Sequence, residues 1–264
     1  MVPQILALAL TLSASGIQPQ AAAPRPKFDS FEVAAIRPVD SDRKAGRYII
    51  MRGSDTFVEK SYTLKLLIAA AYELNPRQIS GGPSWIDSDH FDILARTPGT
   101  VQPTHEEQMR MLRRLLADRF KLSYHRQQKV FSIYELETEK GGPKLKASTA
   151  AADAPPALIS TVYPRHILLP ARNATMADFV SILQRAVLDR PVVDKTGLQG
   201  RYNFDLQWAA DETQFGGEVP VTLPDASSPP FFTAIREQLG LRMVATRGPA
   251  EALVIDSVQR PSPN

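Results

Sequence analysis

Thr63-Leu-Lys-Leu-Leu-Ile-Ala-Ala-Ala-Tyr72, followed by Gly81-Gly-Pro-Ser-Trp-Ile-Asp-Ser-Asp-His-Phe-Asp-Ile-Leu94, sets the frame for the whole chain. The first stretch opens on an N-cap threonine and puts Leu64, Leu67, Ile68 and Ala71 on one helical face, so it predicts an amphipathic helix. The second predicts a turn and then a strand carrying Phe-Asp-Ile. The same order returns later. Thr175-Met-Ala-Asp-Phe-Val-Ser-Ile-Leu183 repeats the capped helix, with Met176, Phe179 and Leu183 aligned. Lys195-Thr-Gly-Leu-Gln-Gly-Arg-Tyr-Asn-Phe-Asp-Leu206 repeats the turn and a Phe-Asp-Leu strand.

Working outward, a second helix follows in each half. Thr104-His-Glu-Glu107 is a capping box, in which the threonine oxygen accepts a backbone N–H while the glutamate reaches back. Met109, Leu112, Leu115 and Leu116 then form the buried stripe. The counterpart is expected to start at Ser228 with Pro229 in its first turn, and to bury Phe231, Phe232, Ile235 and Leu239. Each second helix leads to two strand segments, Lys121–His125 with Val130–Glu137 and Leu241–Ala245 with Ala252–Val258. With Gln127-Gln128-Lys129 and Arg247-Gly248-Pro249 between them, both pairs read as hairpins. Strands are also expected at Phe31–Arg37, Arg47–Met51 and Thr56–Lys60, and at Ile159–Tyr163 and His166–Pro170.

The expected class is therefore α+β, in two related halves. Each is an antiparallel or mixed sheet covered by two helices, in the order strands, helix, strand, helix, hairpin. The halves span 28–146 and 158–260. Ala147–Ala157, small and proline-bearing, reads as the linker, and 209–227 as a mobile loop.

Composition agrees with a globular chain of 264 residues, 43% hydrophobic and 22% charged. Its 22 prolines fall mostly between the periodic segments. A net charge of +3, with basic residues densest from Arg110 to Lys129, fits a solvated helix face better than a nucleic-acid surface. Ile5–Gly16 is an apolar run too short to span a bilayer, followed by small and polar residues. It reads as a signal peptide within 1–23, giving a periplasmic or secreted protein with no transmembrane segment after its removal. The competing reading is a buried first element. Without cysteine there is no disulfide, no zinc-thiolate site and no thiol nucleophile.

Motifs for known chemistry are missing: no Gly-x-Ser-x-Gly, no phosphate or dinucleotide loop, no His-Glu-x-x-His. No cofactor or metal is expected, and no catalytic residue is assigned. The candidate binding residues are Trp85, Asp87, Asp89, His90 and Trp208. Asp87-Ser-Asp89-His90 offers oxygen ligands but lacks the glycine and distal glutamate of a calcium loop, so capping of a turn is the plainer reading. The tryptophans are candidates for stacking on a sugar or anchoring a partner, against ordinary packing in the core.

Six blocks occur in order: Phe31-Glu-Val-Ala-Ala-Ile-Arg-Pro38, Gly81-Gly-Pro-Ser-Trp-Ile-Asp87, Leu115-Leu-Ala-Asp-Arg-Phe-Lys-Leu122, Lys140-Gly-Gly-Pro-Lys-Leu145, Arg190-Pro-Val-Val-Asp-Lys-Thr-Gly-Leu198 and Leu253-Val-Ile-Asp256. Together they resemble the soil-associated paralogous family of acidobacteria and their relatives. That family is exported and of unknown function, and its domain also occurs fused to membrane metallopeptidases of the beta-lactam-sensor type. The resemblance implies an envelope or secreted location and no catalytic residues to carry over. His166-Ile-Leu-Leu-Pro-Ala-Arg-Asn-Ala-Thr-Met-Ala-Asp-Phe179, with a later helix ending Gln238-Leu-Gly-Leu241, is similar in architecture to the short N-terminal domain of secretins and TonB-dependent transducers. Those modules bind protein partners. The expected role is thus a non-enzymatic extracytoplasmic binding or sensor module for an envelope protein or polymer. The alternative is a secreted carboxylate-dependent hydrolase using Asp87, Asp89 and His90.

Overall fold

The computed structural model describes residues 25–40, 46–151, 154–163, 166–217 and 228–261. The expected signal peptide at 1–23 and the 218–227 part of the expected loop lie outside the described residues. The first half runs β1 (Val33–Val39), β2 (Tyr48–Arg52), β3 (Thr56–Thr63), α1 (Leu64–Tyr72), β4 (Ile79–Gly81), α2 (Trp85–Ser88), β5 (His90–Arg96), α3 (His105–Arg119) and β6 (Ser123–Thr138). The second runs β7 (Lys146–Ala147), β8 (Ala157–Leu158), β9 (Thr161–Val162), β10 (Ile167–Ala174), α4 (Met176–Ile182), β11 (Val192–Asp194), β12 (Tyr202–Trp208), α5 (Phe231–Ala234) and β13 (Leu241–Ser257). Helices α4 and α5 each continue into a wider π turn, Leu183–Val187 and Ile235–Leu239. The class is α+β, as expected.

The two outer sheets have like topology. In the first the order is β1-β5-β3-β2, in the second β7-β12-β10-β8 with β9 also on β10, and every pairing is antiparallel. In both, the strand before the first helix lies beside the strand that carries the Phe-Asp triplet, β3 beside β5 and β10 beside β12. Asp92 and Asp205, the matching acids of the Phe-Asp triplets, even share a role. Asp92 pairs with Lys60 of the neighbouring strand at 2.6 Å, and Asp205 with Arg172 at 2.8 Å.

The third sheet corrects the expected hairpins. β6 and β13 are each one unbroken strand, and they pair with each other antiparallel along their whole length. The residues read as turns lie in mid-strand: Pro249 faces Val130, and Gly248 faces Phe131. Folding each segment back on itself would give two short hairpins, whereas pairing across the halves keeps a continuous ladder of about 50 Å. Parallel strands β4 and β11 flank it, in the order β11-β6-β13-β4. The near end of β6 (Tyr124) and the far end of β13 (Leu253, Ile255) pack on the first core. Leu136 of β6 joins Leu241 and Met243 of β13 on the second. Each core is therefore closed by strand ends from both halves.

Helix starts match the sequence reading closely. Thr63 Oγ accepts from Leu66 N, and Thr104 and Thr175 each head a complete capping box, with Glu107 and Asp178 as the reciprocal acids. α5 departs, beginning at Phe231 behind Pro230 instead of at Ser228, and Phe232 faces outward. Its Phe231, Ile235 and Leu239 are buried as expected. The basic stretch on α3 is partly structural: Arg113 donates to Ala71 O at 2.7 Å and Arg119 to Ala34 O at 3.1 Å, tying the helix to its neighbours. Gly81, in the left-handed region at φ 81°, lets β4 lie against β13, since a Cβ there would stand 2.7 Å from Ile255 O. The described part of the alanine-rich connector is anchored, with Asn173 Nδ2 donating to Ala154 O at 2.6 Å and Ser148 N to Arg201 O at 2.8 Å.

Candidate functional site: a cleft between the two halves

The structure gathers Trp85, Asp87, Asp89 and His90 at one corner of the first half, on α2 and the start of β5. Asp89 Oδ2 accepts from Arg260 Nε at 2.8 Å, and the Arg260 guanidinium lies 5.0 Å from the Trp85 ring centroid. Asp87 turns away to pair with Lys65 at 2.9 Å. His90 Nδ1 lies 2.9 Å from Ser88 O. A cavity of about 400 Å³ opens beside Asp89, His90 and Arg260. Each acid thus faces its own cation, and the two carboxylates do not converge on one point. Among the described residues, no group of three or more His, Asp or Glu side chains has the arrangement to hold a metal ion.

Trp208 stands apart from these four. It lies in the other half with no exposed surface, its indole N–H donating to Gln214 Oε1 at 2.7 Å and its ring packed edge-on against Phe231. An indole packed in this way, with its N–H bonded, acts as a core residue of the second half.

A larger cleft, about 630 Å³, lies where the halves meet. One side is built from β2, the end of α1 and the start of α3, the other from α4 and residues 155–159. The back is stitched shut between the halves. Asn75 Nδ2 donates to Gln184 O at 2.6 Å and to Leu188 O at 3.0 Å, and the Gln184 amide donates to Glu73 O. Asn75 can do this because the chain turns sharply after α1, where Glu73 takes a left-handed conformation (φ 56°).

Two kinds of polar group line this cleft. Glu73 and His105 are engaged with each other, Oε1 to Nε2 at 3.1 Å, and the hydrogen bond from His105 holds the Glu73 carboxyl below its usual range against the opposing effect of burial. Ser181 and Arg185 are less well served: Ser181 Oγ and Arg185 Nε are both buried and make no hydrogen bond of good geometry, while both residues lie near enough to Glu73 to help hold its carboxyl low. Arg185 lines the cleft and is half-buried as a residue, with its guanidinium set deep in the wall. Burial lowers the guanidinium's proton affinity, opposed by the nearby Tyr62 and Glu73. The walls are otherwise largely apolar, with Met51, Met109 and Ile182 among them.

None of these four polar residues was a sequence candidate. His105 was visible only as a member of the capping box, and Glu73 fell just past the predicted helix. Ser181 and Arg185 did leave a trace: they stand four residues apart and so fall on one side of the helix.

Fold and site together define an α+β protein with an internal cleft that presents unpaired donors between apolar walls. The family model described as a protein of unknown function (DUF3738) matches residues 65–258, and the chain belongs to that family. Comparisons with curated proteins and with solved structures return no match. Among the described residues, no helix is long and apolar enough to cross a membrane.

Proposed function

We propose that this chain is a non-enzymatic binding module acting outside the cytoplasm, and that the cleft between its halves is the ligand site. The observation that carries the reading is the pair of unsatisfied donors, Ser181 Oγ and Arg185 Nε, in the wall of a cleft that both halves build. Buried polar groups are nearly always paired, and a ligand is one way to pair them. Binding sites also favour interfaces between structural units. The apolar run at Ile5–Gly16 supports the extracytoplasmic location. The like topology of the two outer sheets supports descent of the halves from one unit, with the cleft as the product of their joining.

Filling the cleft tests this reading. Ile182→Trp places a large side chain in it. Binding of envelope polymers and peptides, followed by NMR chemical-shift mapping, is expected to perturb the 181–188 segment in the parent and to be lost in the variant. Binding that persists in the variant, or maps to another surface, removes the cleft from consideration. The hydrolase alternative rests on the smaller cavity beside Asp89 and His90. Activity profiling of Asp89→Ala tests it, and retained hydrolysis excludes that corner.

A further inference from the structure

Resting on the cleft as the binding site, we infer that its ligand carries a single carboxylate next to an apolar group, with the carboxylate held by Arg185 and Ser181. The two side chains lie one helical turn apart on the same side of α4 and its π extension, and both offer donors. A carboxylate oxygen accepts from a hydroxyl and a guanidinium at once, and charge-assisted bonds of this kind are the strong ones.

Charge count selects a monoanion. Two arginines and one histidine line the cleft: Arg25, Arg185 and His105. Arg25 is taken by Glu107 at 2.6 Å and His105 by Glu73 at 3.1 Å. Asp178, the other acid in the lining, is occupied in capping α4, accepting from Thr175 N at 2.8 Å. Arg185 has no carboxylate within ion-pairing distance among the described residues, and Glu73 acts on it only from farther away, so its charge has no direct partner and is left for the ligand. A phosphate dianion would bring a second negative charge toward Glu73 and find no cation to meet it. The apolar walls then hold the remainder of the molecule. A medium-chain fatty acid and the C-terminus of a hydrophobic peptide share this chemistry, and the experiment separates them.

The probes are octanoate against octanol and octyl phosphate, and an acetylated Leu-Leu-Leu acid against its amide, titrated into the full chain by calorimetry. Either acid is expected to bind at least tenfold more tightly than its neutral counterpart, and octanoate more tightly than octyl phosphate. Arg185→Gln should weaken the acid by about tenfold or more and leave the neutral probe unchanged, while Ser181→Ala should weaken it by a smaller, few-fold factor. Ser181→Ala leaves one unpaired group fewer in the cleft wall, Arg185→Gln removes the charge, and an unchanged melting temperature shows that both fold. Which acid binds names the source. Equal binding of acid and neutral probe, or an acid affinity indifferent to both substitutions, overturns the carboxylate assignment while the cleft remains the site. Tighter binding of octyl phosphate changes the ligand class. Failure of every probe overturns the inference, and the binding-module reading falls with it only if the polymer and peptide screen is also empty.

Discussion

Glu59 has no exposed surface, and one of its carboxyl oxygens, Oε2, has no hydrogen-bond partner; Oε1 accepts from Tyr62 N at 2.9 Å. Burial is the main cause that pushes its pKa from 4.5 up to about 9, and the nearby Asp92 adds to it. The group is therefore neutral in the folded protein at pH 7 and charged in the unfolded chain. Because the folded value is raised, its contribution is fully present below pH 4.5 and is lost as pH climbs toward 9, at up to about 1.4 kcal/mol per pH unit. Urea denaturation at pH 5 and pH 8 should show wild type losing stability across this window while Glu59→Gln holds nearly level. Equal slopes in the two proteins would mean that Glu59 is not buried as an acid. This residue was not legible in the sequence, where alternation along Thr56–Lys60 gave no reason to bury a glutamate. A bulge between Glu59 and Tyr62, with Ser61 at φ 60°, sets the strand's course there, and bulges are not encoded by hydrophobic period. The tryptophans show the opposite limit. Large aromatics are visible in any sequence, but whether they line a site or a core depends on neighbours such as Gln214 and Phe231 that no local pattern identifies.

At the level of elements, capped helices were the most legible part, because a cap and its stripe are encoded within about a dozen residues. Thr104→Ala and Thr175→Ala remove side-chain acceptors that close complete capping boxes, and each is expected to cost about 1 kcal/mol in denaturant titrations. No loss in either would mean that tertiary packing alone sets those helix ends. The β6–β13 ribbon was the least legible. Strand propensity marks 121–125, 130–137, 241–245 and 252–258 as extended, yet the choice of partner is made over more than a hundred residues of intervening chain. A local turn signal such as Arg247-Gly248-Pro249 then argues for the wrong closure. Gly81→Ala probes the ribbon's edge: with a positive φ and the Ile255 carbonyl 2.7 Å from the added carbon, it should destabilise by more than about 1 kcal/mol. A neutral effect would show that β4 sits further from β13 than described.

For the molecule as a whole, the interlocked ribbon changes what a half is. Residues 28–146 alone would present β6 without its partner strand and leave the first core open where Leu253 and Ile255 belong. That fragment is expected to lack a cooperative thermal transition, and to regain one when mixed with 158–260; independent cooperative melting would contradict the shared closure. The same interlocking explains why the cleft was invisible in the sequence. Its Glu73, His105, Ser181 and Arg185 come from three helical segments in two halves, and only the docking of α4 against the end of α1 brings them together.

The claim on which the account turns is that ligand is taken up in this cleft. Hydrogen–deuterium exchange on the intact chain, with and without saturating octanoate, tests it directly. Slowed exchange confined to 73–75, 104–109 and 181–188 is the expected result. Protection centred instead on 85–90 and 258–261, around Asp89 and Arg260, would contradict it and move the site to the opposite corner of the first half.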